Sequence, residues 1–178
     1  PQAVTFESLR DARREEGCVA GWKVMDVSRL REIYLFKNLS ERALGEVAAL
    51  AFTEEYKRGE RIFSENDPGN KFYLILSGEV RISKQILGIG EEALAILKPG
   101  NYFGEMALLD EAPRSADATA DKPCVLSVIT RQDFEQLLVG NKDLAYELLW
   151  NFVCTLTKRL REMNEKMTFL ATASRFER

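Results

Sequence analysis

Histidine is absent from this 178-residue chain. That removes the imidazole on which zinc deaminases, Ser-His-Asp triads and most metal-binding cupin barrels depend. Cysteine is scarce: Cys18, Cys124 and Cys154 stand far apart, with no CxxC pair and no metal-ligand spacing. They read as free thiols in a reducing compartment. No apolar run approaches the roughly 20 residues of a membrane-spanning helix, and no signal-peptide pattern opens the sequence. The expected setting is the cytoplasm, with no membrane partner. An excess of one charge is lacking too, since 25 Lys and Arg face 28 Asp and Glu for a net charge of -3. That balance gives no whole-chain footprint for DNA or RNA, although it leaves room for a local cationic pocket. A glycine-rich nucleoside triphosphate loop is also missing. Together these absences argue against an enzyme, and neither a metal nor a cofactor is expected.

What is present is a globular composition, 46% hydrophobic, in a chain long enough for one core with helical additions. Residues 1–35 read as a helical extension. Thr5 is placed to cap a polar helix that runs to Glu16 and stops at Gly17, and Asp26 to cap a second segment with Val27, Leu30, Ile33 and Tyr34 on one face. Ser40 is placed to cap a third, where Leu44, Val47, Ala48 and Ala51 recur at helical spacing. From Phe52 to Thr130 the pattern changes to short strands between turn signals. Residues 72–76 form a compact apolar run. Val80, Ile82 and Lys84 alternate with Arg81 and Ser83. Further strands are expected over residues 93–97, 116–120 and 125–129. About eight such strands predict an antiparallel barrel or jelly roll, hence an α+β chain. Helical spacing returns over 132–138 and again, free of Pro and Gly, over 142–170. There Val153, Leu156, Leu160, Met163, Met167 and Leu170 fall at alternating intervals of 3 and 4. This heptad seam predicts a parallel helix dimer. Leu148, Leu149 and Phe152 offer a second face for the barrel, while the Lys and Arg of this helix read as its solvated face. Residues 141–178 are thus a unit distinct from the 36–140 roll.

The chemistry concentrates in residues 103–116, FGEMALLDEAPRSA. Gly104 and Glu105 open a short helical turn whose first N–H groups are unpaired and suit an anion. Arg114 follows before a strand of small residues, in a loop able to return its guanidinium to the helix start. One carboxylate and one guanidinium around exposed amides suit a ligand carrying both a hydroxyl and a phosphate.

This stretch resembles the phosphate-binding cassette of the cyclic-nucleotide-binding domain family. The likeness extends over residues 36–170 and includes Ser77-Gly78-Glu79-Val80, the Lys98-Pro99-Gly100 turn and the long final helix. It implies an antiparallel β-roll that binds a cyclic nucleotide without altering it. By the same resemblance, Glu105 accepts from the ribose 2′-hydroxyl and Arg114 pairs with the cyclic phosphate. Gly104, Met106, Ala107, Ser115 and Ala116 lie against the ligand. Ile82, Leu94 and Leu97, expected in the core, flank the base. Residues 158–170 resemble the central helix of the family's catabolite-activator branch, which places Met163 and Asn164 at the base. Ser115 is compatible with either purine, and cAMP is the expectation ahead of cGMP. The alternatives are a roll serving protein contacts alone and the sensor half of a transcription factor. An output domain or partner protein is then expected elsewhere.

Overall fold

The computed structural model describes residues 27–110 and 112–176, without the side chains of Leu108, Leu170, Ala171 and residues 173–176. The Thr5 helix, Gly17, Cys18, the Asp26 cap and Arg178 lie outside the described residues.

A short helix α1 (Val27–Arg31) and a 3₁₀ turn (Tyr34–Phe36) lead into α2 (Glu41–Leu50). Ser40 caps α2, its hydroxyl accepting from the Ala43 amide at 3.2 Å. Leu44, Val47 and Ala48 are buried on the face the spacing marks. Tyr34 departs from expectation. The 3₁₀ turn rotates it outward to 53% exposure and buries Leu35 and Phe36 instead.

Eight strands follow: β1 (Phe52–Tyr56), β2 (Arg61–Phe63), β3 (Lys71–Ser77), β4 (Val80–Ile86), β5 (Gly90–Leu97), β6 (Tyr102–Phe103), β7 (Asp117–Ala120) and β8 (Cys124–Thr130), with helix α3 (Met106–Leu109) between β6 and β7. They form two antiparallel four-stranded sheets, ordered β1-β8-β3-β6 and β2-β7-β4-β5. The apolar run of β3 is explained by two cores. Tyr73 and Ile75 point between the sheets, where they meet Val80, Phe103, Leu126 and Val128. Phe72 and Leu74 point the other way, into a helical layer with Leu44, Phe134, Leu148 and Phe152. Alternate side chains of a strand face opposite sides, so a strand covered on both faces loses its polar alternation.

In β4 the expected alternation fails midway. The register against β5 shifts between Ile82 and Ser83, where Leu94 of β5 is left without a partner on β4, and Ser83 is fully buried. Its hydroxyl donates to Glu91 at 2.7 Å. Lys84 is partly exposed and pairs with Glu65 at 2.7 Å. Leu94 is a second correction: β5 is an edge strand, and Leu94 is 47% exposed rather than in the core.

Helix α4 (Arg131–Gly140) is capped by the Thr130 hydroxyl, which accepts from the Asp133 amide at 3.2 Å. Helix α5 (Lys142–Phe176) is capped by Asn141, whose Oδ1 accepts from Leu144 at 3.1 Å. Leu144, Leu148 and Phe152 anchor α5 in the helical layer, while Leu149 faces solvent instead of the roll. Beyond Thr155, α5 leaves that layer and passes over residues 103–116. Val153, Leu156, Leu160, Met163 and Met167 are exposed along it. No helix among the described residues is long and apolar enough to cross a membrane.

Candidate functional site

Residues 103–116 leave β6 at Phe103 and turn at Gly104, whose φ is +80°. A Cβ there would lie 2.6 Å from Arg114 Nη1, so both the backbone conformation and the close approach demand glycine. Glu105 then starts α3, a single turn closed by the Leu109 amide on the Glu105 carbonyl (3.1 Å) and the Asp110 amide on that of Met106 (3.0 Å). The segment returns past Pro113 to Arg114. The Arg114 amide donates to the Asp67 carbonyl, and its carbonyl accepts from the Asn66 amide, each at 2.9 Å. The β2–β3 turn therefore grips Arg114 by its backbone.

The Arg114 side chain crosses beneath α3 and is 4% exposed. Nη1 donates to the Gly104 carbonyl at 2.8 Å and Nη2 to the Lys71 carbonyl at 2.7 Å. The guanidinium carbon lies 4.2 Å from the centroid of the Phe63 ring. Its Nε is buried without a hydrogen-bond partner. Burial holds this guanidinium below its ordinary value, against the pull of Tyr73, Asp67 and Glu105. A buried cation supported by carbonyl dipoles and a ring, with a donor still unmet, has the chemistry to take an anion.

Glu105 is 2% exposed. Its Oε1 accepts from Arg159 Nη1 of α5, and Arg159 Nη2 donates to the Tyr102 carbonyl at 3.0 Å. Arg159 also covers the Tyr102 ring, 5.1 Å from its centroid. Burial raises the Glu105 carboxyl above its usual range, and Arg159 opposes that rise. The reading of the α5 cations as a solvated face fails here. Arg159 continues the roll-facing stripe of Leu148, Phe152 and Thr155, which the interval of 3 or 4 residues already contains.

A cavity of about 530 Å³ joins these groups. One wall is the cassette, with Gly104, Glu105, Met106, Ala107, Arg114, Ser115 and Ala116. A second is apolar, from Phe63, Ile82, Leu94 and Leu97. The third is α5, contributing Arg159, Glu162, Met163 and Lys166. Every expected site residue is thus brought to one cavity except Asn164, which is exposed and does not line it. Beside Met163 on this single chain, Glu162 and Lys166 line the cavity, while Asn164 faces away from it. Phe63 escaped the sequence reading, because nothing local marks a ring that supports a cation 51 positions away in the chain. With an anion-seeking guanidinium and a buried carboxylate at one end and apolar strands at the other, the cavity suits an amphipathic ligand with phosphate, hydroxyl and flat ring.

Comparison with known proteins points the same way. A family model described as "Cyclic nucleotide-binding domain" matches residues 53–141. The Cyclic AMP receptor protein of Thermus thermophilus is 39% identical over 116 residues, 65% of this chain and 52% of that protein. The cAMP-dependent protein kinase regulatory subunit of Eremothecium gossypii is 38% identical over 109 residues, 61% of this chain and 23% of that protein. The chain therefore spans about half the length of the first relative and less of the second. Among solved structures, a cyclic nucleotide-binding domain from Methylobacillus flagellatus superposes with a TM-score of 0.71 at 30% identity, covering 79% of both chains. The catabolite activator protein of Thermus thermophilus gives 0.69 at 34% identity, over 78% of this chain and 63% of that one.

Proposed function

We propose that this chain, which belongs to the cyclic nucleotide-binding domain family, is a sensor module that binds cAMP and performs no chemistry on it. The observation that carries this reading is that the buried Arg114 and the buried Glu105 line one cavity, with the Arg114 guanidinium keeping an Nε that has no protein partner. The cyclic phosphate takes Arg114 and the amides at the start of α3. The ribose 2′-hydroxyl donates to Glu105, whose Oε1 is held by Arg159 and whose Oε2 we assign to the ligand. Ser115 lies beside the phosphate, and Met106, Ala107 and Ala116 close around it. The base lies along Ile82, Leu94 and Leu97 under Met163. The names of the two curated relatives above favour cAMP. A mouse relative, named cGMP-dependent protein kinase 2 and 33% identical over 131 residues, keeps cGMP as the competitor to test.

Arg159 supplies the path to an output. A ligand shifts an equilibrium only through unequal affinity for two states. Here a ligand hydroxyl on Glu105 bears directly on the ion pair that ties α5 to the cassette. The exposed seam of α5 supports a parallel homodimer as the form in which that motion is read, in a cytoplasmic setting. Calorimetric titration with cAMP, cGMP and cyclic di-nucleotides tests the reading. cAMP binding at one site per chain is expected, with cGMP weaker. Absence of heat with all three, in folded protein, overturns it in favour of a roll serving protein contacts.

A further inference from the structure

Arg131, the first residue of α4, lines no part of the cavity, yet it reaches the cassette. Its Nη2 donates to the Gly69 carbonyl at 2.9 Å and to the Ala107 carbonyl of α3. Its backbone amide donates to the Asn70 carbonyl at 2.9 Å. One residue thus joins the β2–β3 turn, α3 and α4. Ala107 lies in the last turn of a single-turn helix, where carbonyls run out of intrahelical donors and a cation is favoured.

The turn it fastens is the one that holds Arg114. Asn66 and Asp67 bind the Arg114 backbone, and Lys71 takes its Nη2. Gly69 lies flat against both: a Cβ at this position would stand 2.2 Å from the Ala107 Cβ and 3.4 Å from the Arg114 Cζ. The two halves of the candidate site, α3 with Glu105 and the turn with Arg114, therefore meet at Gly69, and Arg131 bridges the junction.

We propose that Arg131 is a positioning residue that locks α3 onto the β2–β3 turn and so couples the cassette to α4. It sets Glu105 and Arg114 at a fixed separation before ligand arrives. Any displacement of α3 must break the bond from Arg131 to Ala107 or carry the start of α4 with it. Because α4 packs on α5, the junction is a second route from cassette to long helix, separate from the Arg159 pair. Its affinity consequence rests on the nucleotide-binding reading above, while its effect on the free protein does not.

Hydrogen exchange on the ligand-free chain, with a cAMP titration of the same samples, tests this in Arg131→Met and Arg131→Lys. In Arg131→Met the Leu109 and Asp110 amides exchange about tenfold faster, the equivalent of one charge-assisted hydrogen bond, while β3 and β8 keep their rates. cAMP affinity falls by a similar factor. Arg131→Lys, with a cationic donor on a shorter stem, recovers part of both losses. Unchanged exchange at Leu109 and Asp110, or a uniform rise that includes β3 and β8, overturns the positioning role. Wild-type protein that binds no cAMP overturns the proposed function alone, and exchange still decides the junction. Should Arg131→Met not fold, Arg131→Lys carries the measurement, with faster exchange confined to α3 expected and none contradicting it.

Discussion

Replacing Arg159 by methionine removes the cation that faces Glu105 while keeping most of the apolar stem over Tyr102. Glu105 is 2% exposed, so its carboxylate is then buried without a counterion. Removing one partner of a buried pair costs roughly 3–5 kcal/mol. Here the Arg159 side chain is itself 38% exposed, so water already screens part of the pair, and about 2 kcal/mol at pH 7 is expected. For a domain of this size that lowers Tm by roughly 4–8 °C. The loss depends on pH with a defined sign. Burial already raises Glu105 above 4.5, so between 4.5 and its own value the folded chain holds a proton that the unfolded chain has released, and stability from this group falls as pH rises through that window. Without Arg159 the carboxyl moves further up and the window widens. The deficit of the variant should therefore shrink from pH 8 toward pH 5, because a carboxyl pushed further up takes its proton sooner and then needs no cation. Thermal unfolding of both proteins across that range gives the answer. A deficit of equal size at pH 5 and pH 8 would show that Arg159 acts through packing alone, and no deficit would remove the ion pair from the account.

Other outcomes follow from the same geometry. Glu105→Gln keeps the shape but weakens a charge-assisted bond, so cAMP affinity should fall about tenfold, whereas 2′-deoxy-cAMP should lose little. Equal losses for both ligands in a double cycle would exclude Glu105 from the ribose. Leu160→Glu sets two carboxylates against each other in a parallel seam. Sedimentation should show twice the chain mass for wild type and a monomer for the variant, and a monomeric wild type would make α5 solely a wall of its own cavity.

How much of this was legible beforehand depended on the separation of the groups in sequence. Gly104, Glu105 and Arg114 lie in one unbroken stretch, so their convergence needed only a short loop to be inferred. Ser40 marked its helix through a local hydroxyl-to-amide bond, as periodicity marked Leu44 and Val47. The Arg159–Glu105 pair spans 54 positions, and no local rule joins two such residues, although the stripe from Leu148 through Thr155 did indicate the direction Arg159 faces. The register shift opposite Ile82 and Ser83 was invisible in β4 because the extra residue, Leu94, lies on the partner strand β5. Leu94 misled for a related reason: an apolar residue in a strand reads as core, and only the sheet order shows that β5 is an edge whose face opens on the cavity. Asn164, named through resemblance, is turned outward on this single chain, while its neighbour Met163 lines the cavity.

The central claim is that the buried Arg114 guanidinium receives a cyclic phosphate. Its most direct test is calorimetric titration of cAMP into wild type and Arg114→Ala at matched pH and salt, with circular dichroism confirming that both are folded. Truncating one member of a buried charged pair costs about 2–5 kcal/mol, so affinity should fall by roughly 30-fold to several thousandfold. An Arg114→Ala protein that is folded and binds cAMP as tightly as wild type would contradict the account.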